Sequence, residues 1–238
     1  MILENMKYGR LRHLTLVDPE KYDANNVASI TEVIDTSGSG GILVGGSTGT
    51  TQKKVDSLVS EIKNRTKKPV ILFPSSPSAV SIKADGIFYL SLLNSSSLKY
   101  VIGYQVKAGR LLKKSRMEVI SVAYLVFEPG MTVGRVGRAK LIGRNDASAA
   151  LDFAAAAELI GFDAIYLEAG SGAPESIEPE VVRQVSSEST IPVIVGGGIR
   201  TPKRAREMLD AGATTIVTGT IAENDPLALG RIVEALKP

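Results

Sequence analysis

The chain contains no cysteine and a single histidine, His13. The first absence excludes a disulfide framework, a thiol nucleophile and a thiolate metal site, and is compatible with the cytosol. The second argues against a histidine-dependent triad, and His13, standing before the first apolar run, reads as a packed or capping residue. No apolar run reaches the roughly 18 residues of a membrane span. Residues 1–11 interleave Glu4, Lys7 and Arg10 with short apolar stretches, so they lack the core of a signal peptide. Charge of one sign is scarce as well. The 28 Lys and Arg against 25 Asp and Glu leave only +3, which implies no nucleic-acid partner. Neither a dinucleotide fingerprint with its ribose carboxylate nor a lysine-bearing phosphate loop occurs, so a redox cofactor has no support. These absences predict a soluble, cytoplasmic protein.

What is present is 44% hydrophobic residues in 238, enough for a sizeable core, with no composition shift that would mark a second unit. One folded domain, 1–238, is expected. Short β-branched runs recur at residues 14–17, 41–44, 70–73, 86–90, 119–126, 164–167, 192–195 and 214–217. Apolar on both faces, they fit strands buried in a parallel sheet. Helical patterns follow most of them, at 27–36, 53–65, 147–160, 179–187, 202–211 and 226–235. Thr201-Pro202 and Asp225-Pro226 supply N-cap and first helical residue, and Gly161 and Gly212 stand at helix ends. Eight strands alternating with helices predict a (β/α)8 barrel of the TIM type. One unit departs from the pattern. Residues 75–85, preceded by Pro74 and containing Pro77, are too few for a crossover helix, so the third helix is lost or replaced by an extended segment. Conversely, residues 128–146 form a long segment after the fifth strand in which Gly130, Gly134, Gly137 and Gly143 alternate with Arg135, Arg138, Lys140 and Arg144. It reads as a solvated or interfacial loop, or as an active-site lid.

A barrel carries its chemistry at the C-terminal ends of its strands. The first strand ends in Asp18, a carboxylate able to hold Mg²⁺, accept a proton or cap the next segment. The second ends in Gly45-Gly46-Ser47-Thr48-Gly49, whose hydroxyls and backbone N–H groups suit phosphate or a metal shared with Asp18. The sixth ends in Tyr166-Leu167-Glu168-Ala169-Gly170-Ser171-Gly172. Alternation there sends Tyr166 and Glu168 to the same side, into the barrel mouth, where a carboxylate can take a proton or be held in a salt bridge. The seventh and eighth end in Gly196-Gly197-Gly198 and Gly219-Thr220, where many barrels bind a phosphate monoester and where the glycines otherwise serve tight turns.

These strand ends, with His13-Leu14-Thr15-Leu16-Val17-Asp18-Pro19-Glu20-Lys21 and Gly196-Gly197-Gly198-Ile199-Arg200, resemble the geranylgeranylglyceryl phosphate synthase family over nearly the whole chain. Members are modified barrels without the usual third helix that join an allylic prenyl diphosphate to sn-glycerol 1-phosphate with Mg²⁺. The resemblance implies Asp18 and Ser47 as Mg²⁺ ligands. It implies Tyr166, Leu167, Glu168, Ala169, Gly170, Ser171, Gly172, Gly197, Gly198, Gly219 and Thr220 as the glycerol phosphate site, with Glu168 accepting the proton of the glycerol C3 hydroxyl and Tyr166 orienting the glycerol. The prenyl tail would lie near residues 88–93 and 98–104. Ala169-Gly170-Ser171-Gly172 and the insertion at 130–146 resemble the archaeal form, which implies geranylgeranyl diphosphate rather than a heptaprenyl donor. A homo-oligomer is implied too, with membrane proximity through the lipid product.

Two other readings compete. One is a phosphate-binding barrel isomerase or aldolase, although no strand-end lysine offers a Schiff base. The other is a non-catalytic binder, for which Asp18, Ser47 and Glu168 together would be needless.

Overall fold

The eight apolar runs form the eight parallel strands of a closed barrel in a computed structural model that describes residues 1–46 and 50–237. The strands are β1 His13–Val17, β2 Gly41–Val44, β3 Val70–Leu72, β4 Gly86–Leu92, β5 Glu118–Val126, β6 Ala164–Glu168, β7 Val193–Gly196 and β8 Thr215–Thr218. Each pairs with its neighbours in sequence, and β8 closes on β1 with Leu14 beside Val217 and Thr15 beside Thr218.

Period-two alternation sorts the strand residues. Leu14, Leu43, Ile71, Phe88, Val122, Tyr124, Tyr166, Ile194 and Val217 fill the barrel interior. Val17, Ile42, Val44, Val70 and Leu72 face the helices on one side, and Ala123, Leu125, Ile165, Leu167, Val193 and Val195 do so on the other. The helix layer comprises α2 Val27–Ser37, α3 Gln52–Arg65, α4 Tyr104–Lys114, α6 Ala147–Ile160, α7 Pro179–Glu188, α8 Pro202–Asp210 and α10 Pro226–Ala235. Its caps are those the sequence announces. The Thr201 side chain accepts from Arg204 N–H at 3.1 Å and Asp225 from Ala228 N–H at 2.9 Å, while Gly161 closes α6.

Between β3 and β4 only a single 3₁₀ turn, Pro77–Ala79, stands where a third crossover helix would be. Two prolines in so short a connection prevent a helix, and the missing cover leaves the barrel open on that side. Four short elements escape the periodicity. The helix α1 Ile2–Lys7 buries Ile2 and Met6 in the interior cluster and is tied to β5 by Glu118, which accepts from the Ile2 and Leu3 N–H groups at 2.6 and 2.9 Å. A π-helical turn, Lys99–Gly103, leads into α4, and its pattern is blurred because Leu98, Ile102 and Val106 stay exposed. The glycine-rich segment contains α5 Met131–Val136, and α9 Thr220–Asn224 follows β8 directly. Among the described residues, no helix is long and apolar enough to cross a membrane.

Candidate active site

Glu168, the last residue of β6, is 6% exposed and faces the barrel mouth. Its Oε1 accepts from Gly170 N–H at 2.6 Å and its Oε2 from the Tyr124 hydroxyl at 3.1 Å, with the Tyr166 hydroxyl nearby. Register explains the meeting. Tyr124 pairs with Tyr166 across β5 and β6, and Val126 with Glu168, so the two phenols stand side by side one pleat below the carboxylate. Phe73 closes the cluster, its ring 5.6 Å from that of Tyr124 and 5.4 Å from that of Tyr166. Burial pushes the Glu168 carboxyl above its ordinary range, Gly170 N–H and the Tyr124 and Tyr166 hydroxyls offsetting part of that rise. Burial, and the carboxylate beside them, push both phenols well up, so they remain donors.

Two cavities meet at this carboxylate, sharing Leu16, Glu168 and Ser171. The first, of about 290 Å³, is walled by Tyr166, Ser171, Gly172, Gly197, Gly198, Arg200, Thr218, Gly219 and Thr220. It sits at the ends of β7 and β8 beside the short extra helix α9, the place where barrels hold phosphate. The second is an apolar groove of about 140 Å³ running over Phe73, Pro74, Val80, Phe88, Tyr89 and Leu90 to Tyr100 and Tyr104, with Val133 and Val136 of α5 along it. The β3–β4 connection forms one wall, so the lost helix is what makes the groove.

Of the residues the sequence singles out, Tyr166, Glu168, Ser171, Gly172, Gly197, Gly198, Gly219 and Thr220 come together around the first cavity. Leu167 and Ala169 differ: their side chains are fully buried in the helix-facing cluster, and alternation leaves only their backbone on the site's side. Gly170 bonds Glu168 through its N–H. Gly197 adopts φ +83°, and a Cβ there would lie 2.6 Å from both Glu168 Oε1 and Gly170 N. Asp18 follows β1, its Oδ1 accepting from Glu20 N–H at 2.9 Å, so it shapes the turn rather than capping α2, whose N-cap is Asn26. The carboxylate lies against Gly46 of the neighbouring strand end, where a Cβ would stand 2.5 Å from Oδ1. Ser47, Thr48 and Gly49 lie outside the described residues. Among the described residues no cluster of three or more His, Cys, Asp or Glu exists, so an all-protein metal cage is absent. One carboxylate, set against Gly46 at the edge of the apolar groove, fits Mg²⁺, which binds through one or two carboxylates together with substrate phosphate and water.

The sequence reading passed over Tyr124, and it named Arg200 only as the end of the Gly196-Gly197-Gly198-Ile199-Arg200 motif, with no role of its own. Tyr124 stands two residues before the end of β5, as Tyr166 stands two before the end of β6, and this parity with the neighbouring strand was the available signal. The Arg200 guanidinium donates from Nη2 to Gly172 O at 2.9 Å and Ala173 O at 3.0 Å, clamping the turn after β6 to the end of β7 and adding positive charge to the cavity. The glycine-rich segment is neither a free loop nor detached from the site. Its α5 lines the groove, Gly130 N–H donates to Ala169 O at 3.1 Å, and Arg144 pairs with Glu175 and Glu178.

The family model described as PcrB family matches residues 6–236. A geranylgeranylglyceryl phosphate synthase of Thermoplasma acidophilum is 50% identical over 239 residues, covering 99% of this chain and 94% of that protein. The crystal structure of (S)-3-O-geranylgeranylglyceryl phosphate synthase from Thermoplasma acidophilum, in complex with substrate sn-glycerol-1-phosphate, matches with a TM-score of 0.95 over 100% of this chain and 98% of that one. Wild-type synthase from Thermoplasma volcanium, 44% identical, matches with a TM-score of 0.94 over the same shares of the two chains. By sequence over its full length and by the course of its backbone, the chain belongs to the geranylgeranylglyceryl phosphate synthase family, within the PcrB family model.

Proposed function

We propose that this chain joins geranylgeranyl diphosphate to the C3 hydroxyl of sn-glycerol 1-phosphate, giving 3-O-geranylgeranyl-sn-glyceryl 1-phosphate and diphosphate. The observation that carries this reading is the position of Glu168, at the junction of an anion cavity and an apolar groove. A polar diol phosphate and a prenyl tail need different surroundings, and their reacting atoms have to meet where the two sites touch. Gly197, Gly198, Gly219 and Thr220 hold the phosphate with backbone N–H groups, and Ser171 and Arg200 stand at its side. Tyr166 and Tyr124 fix the carboxylate from below. As the C3 oxygen bonds to prenyl C1 and the bond from C1 to the diphosphate oxygen breaks, the hydroxyl proton passes to Glu168.

Asp18, with Ser47, would hold Mg²⁺, which when bound neutralises the departing diphosphate. Asp18→Asn should raise the Mg²⁺ concentration for half-maximal turnover by roughly tenfold or more, because the site loses its formal charge. An unchanged Mg²⁺ titration would remove Asp18 from that role.

Tyr124→Phe deletes one of the hydrogen bonds that hold the Glu168 carboxyl down. Its pKa should rise further, so the acid limb of the kcat/KM profile should move to higher pH while the plateau changes only a few-fold. A limb that stays in place would show that another group titrates.

Geranylgeranyl is the donor read from the Ala169-Gly170-Ser171-Gly172 turn, the insertion at 130–146 and the relatives. Parallel reactions with shorter and longer prenyl diphosphates test it, and a higher kcat/KM for a heptaprenyl donor would overturn the chain length. A homo-oligomer belongs to the same reading, supported by the exposed apolar Leu98, Ile102, Val106, Leu159 and Ile160, a face suited to a second copy.

A further inference from the structure

His13 has no place in the chemistry above, yet it is fully buried in a polar network on a barrel face that elsewhere carries Val17, Ile42, Val44, Val70 and Leu72. Its Nδ1 lies 2.9 Å from Ser39 Oγ and its Nε2 lies 3.0 Å from Thr218 Oγ1. The Ser39 hydroxyl donates to Gly41 O at 3.3 Å and accepts from the Thr15 hydroxyl at 3.0 Å. With the Ser39 proton so used, Nδ1 is the donor to Ser39, and Nε2 accepts the proton of the Thr218 hydroxyl. One tautomer satisfies every group.

Thr218 is the last residue of β8 and walls the anion cavity immediately before Gly219 and Thr220. We propose that His13 is a positioning residue for the phosphate cradle, holding Thr218 and with it the turn that presents Gly219 and Thr220 to the anion. A cradle made of backbone groups binds well only when its turn is fixed beforehand, and the imidazole fixes this one from outside the cavity. Burial lowers the His13 pKa to about 3, so the neutral acceptor persists through the neutral range. The apolar groove draws mainly on β3, β4, α4 and α5, and of β1, the strand that carries His13, it touches only Leu16.

The inference rests on the reading of that cavity as the glycerol phosphate site, and direct binding tests the two separately. In calorimetric titrations, His13→Gln and Thr218→Val should each weaken sn-glycerol 1-phosphate by about tenfold, the loss of one hydrogen bond's worth of fixing. Geranylgeranyl diphosphate should bind as to wild type, and Thr218→Ser, which keeps the hydroxyl, should retain wild-type affinity for both. A role in packing alone would not single out one ligand or be rescued by serine. If His13→Gln does not fold, the Thr218 pair carries the same comparison. Wild type that binds no sn-glycerol 1-phosphate contradicts the functional reading and this inference with it. Wild type that binds, with the variants binding equally or losing both ligands together, contradicts the inference alone.

Discussion

Glu168→Gln should lower kcat by about a thousandfold, within the 10²–10⁴ range that a positioned general base contributes. The amide keeps the shape of the carboxylate, its oxygen serving Gly170 N–H, 2.6 Å away in the wild type, and its NH2 donating to the Tyr124 hydroxyl, which accepts as well as donates, so the cavity should hold sn-glycerol 1-phosphate within a few-fold of the wild-type affinity. What it lacks is the capacity to take the C3 hydroxyl proton. The pH dependence carries the same signature. A base works only when charged, and burial holds the Glu168 pKa above the ordinary carboxylate range. Wild-type kcat/KM should therefore fall as pH falls through a value above the ordinary carboxylate range, and this limb should vanish in the glutamine variant. Stability should move the other way. Because the folded pKa is raised, protonated Glu168 favours the fold at low pH and this contribution is lost as pH rises through the folded pKa. The neutral isostere should accordingly unfold at neutral pH no earlier than wild type. An enzyme that tolerates glutamine with its acid limb intact would place the proton acceptor elsewhere.

Gly197→Ala should strike the reacting carboxylate itself. The position has φ +83°, and the added Cβ would lie 2.6 Å from Glu168 Oε1, 2.6 Å from Gly170 N and 2.9 Å from Ala169 N. Two of these neighbours are backbone, and the third is the reacting carboxylate, itself fixed by Gly170 N–H and two phenols. None can yield without moving the site. Strained backbone and overlap together should cost about 2–4 kcal/mol, read from the denaturant midpoint. In protein that still folds, kcat should fall by about 10²-fold or more, the effect of displacing a reacting group by roughly an ångström. Gly172→Ala is the internal control. It too has a positive φ, +78°, but its Cβ would meet nothing within 4 Å, so it should bear the backbone cost without the displacement. Equal losses in the two variants would show that conformational strain, and not contact with Glu168, governs the site.

The residues behind these two predictions were legible in the sequence for one reason. In alternating strands and helices each strand's last residues fall at the same end of the barrel, so Asp18, Glu168, Gly197 and Gly219 could be gathered without knowing any contact. The lost third helix was legible from chain length and Pro74 and Pro77. Tyr124 was not found because its significance lies in the pairing of β5 with β6, a register that no single strand announces. The groove wall formed by the π-helical turn and α4 was missed because helical periodicity marks helices with one buried face, and here apolar Leu98, Ile102 and Val106 remain outside. In residues 128–146 the frequent glycines masked α5, whose formation depends on packing against the turn after β6: Gly130 N–H bonds Ala169 O, and a Cβ on Gly170 would stand 2.7 Å from the Met131 side chain.

The central claim is tested most directly by transfer of label from radiolabelled sn-glycerol 1-phosphate into an organic-extractable product when geranylgeranyl diphosphate is supplied with Mg²⁺. The site described here predicts extractable label that requires both substrates and falls about a thousandfold in Glu168→Gln. Absence of transfer from any prenyl donor, with turnover of a sugar phosphate instead, would contradict it.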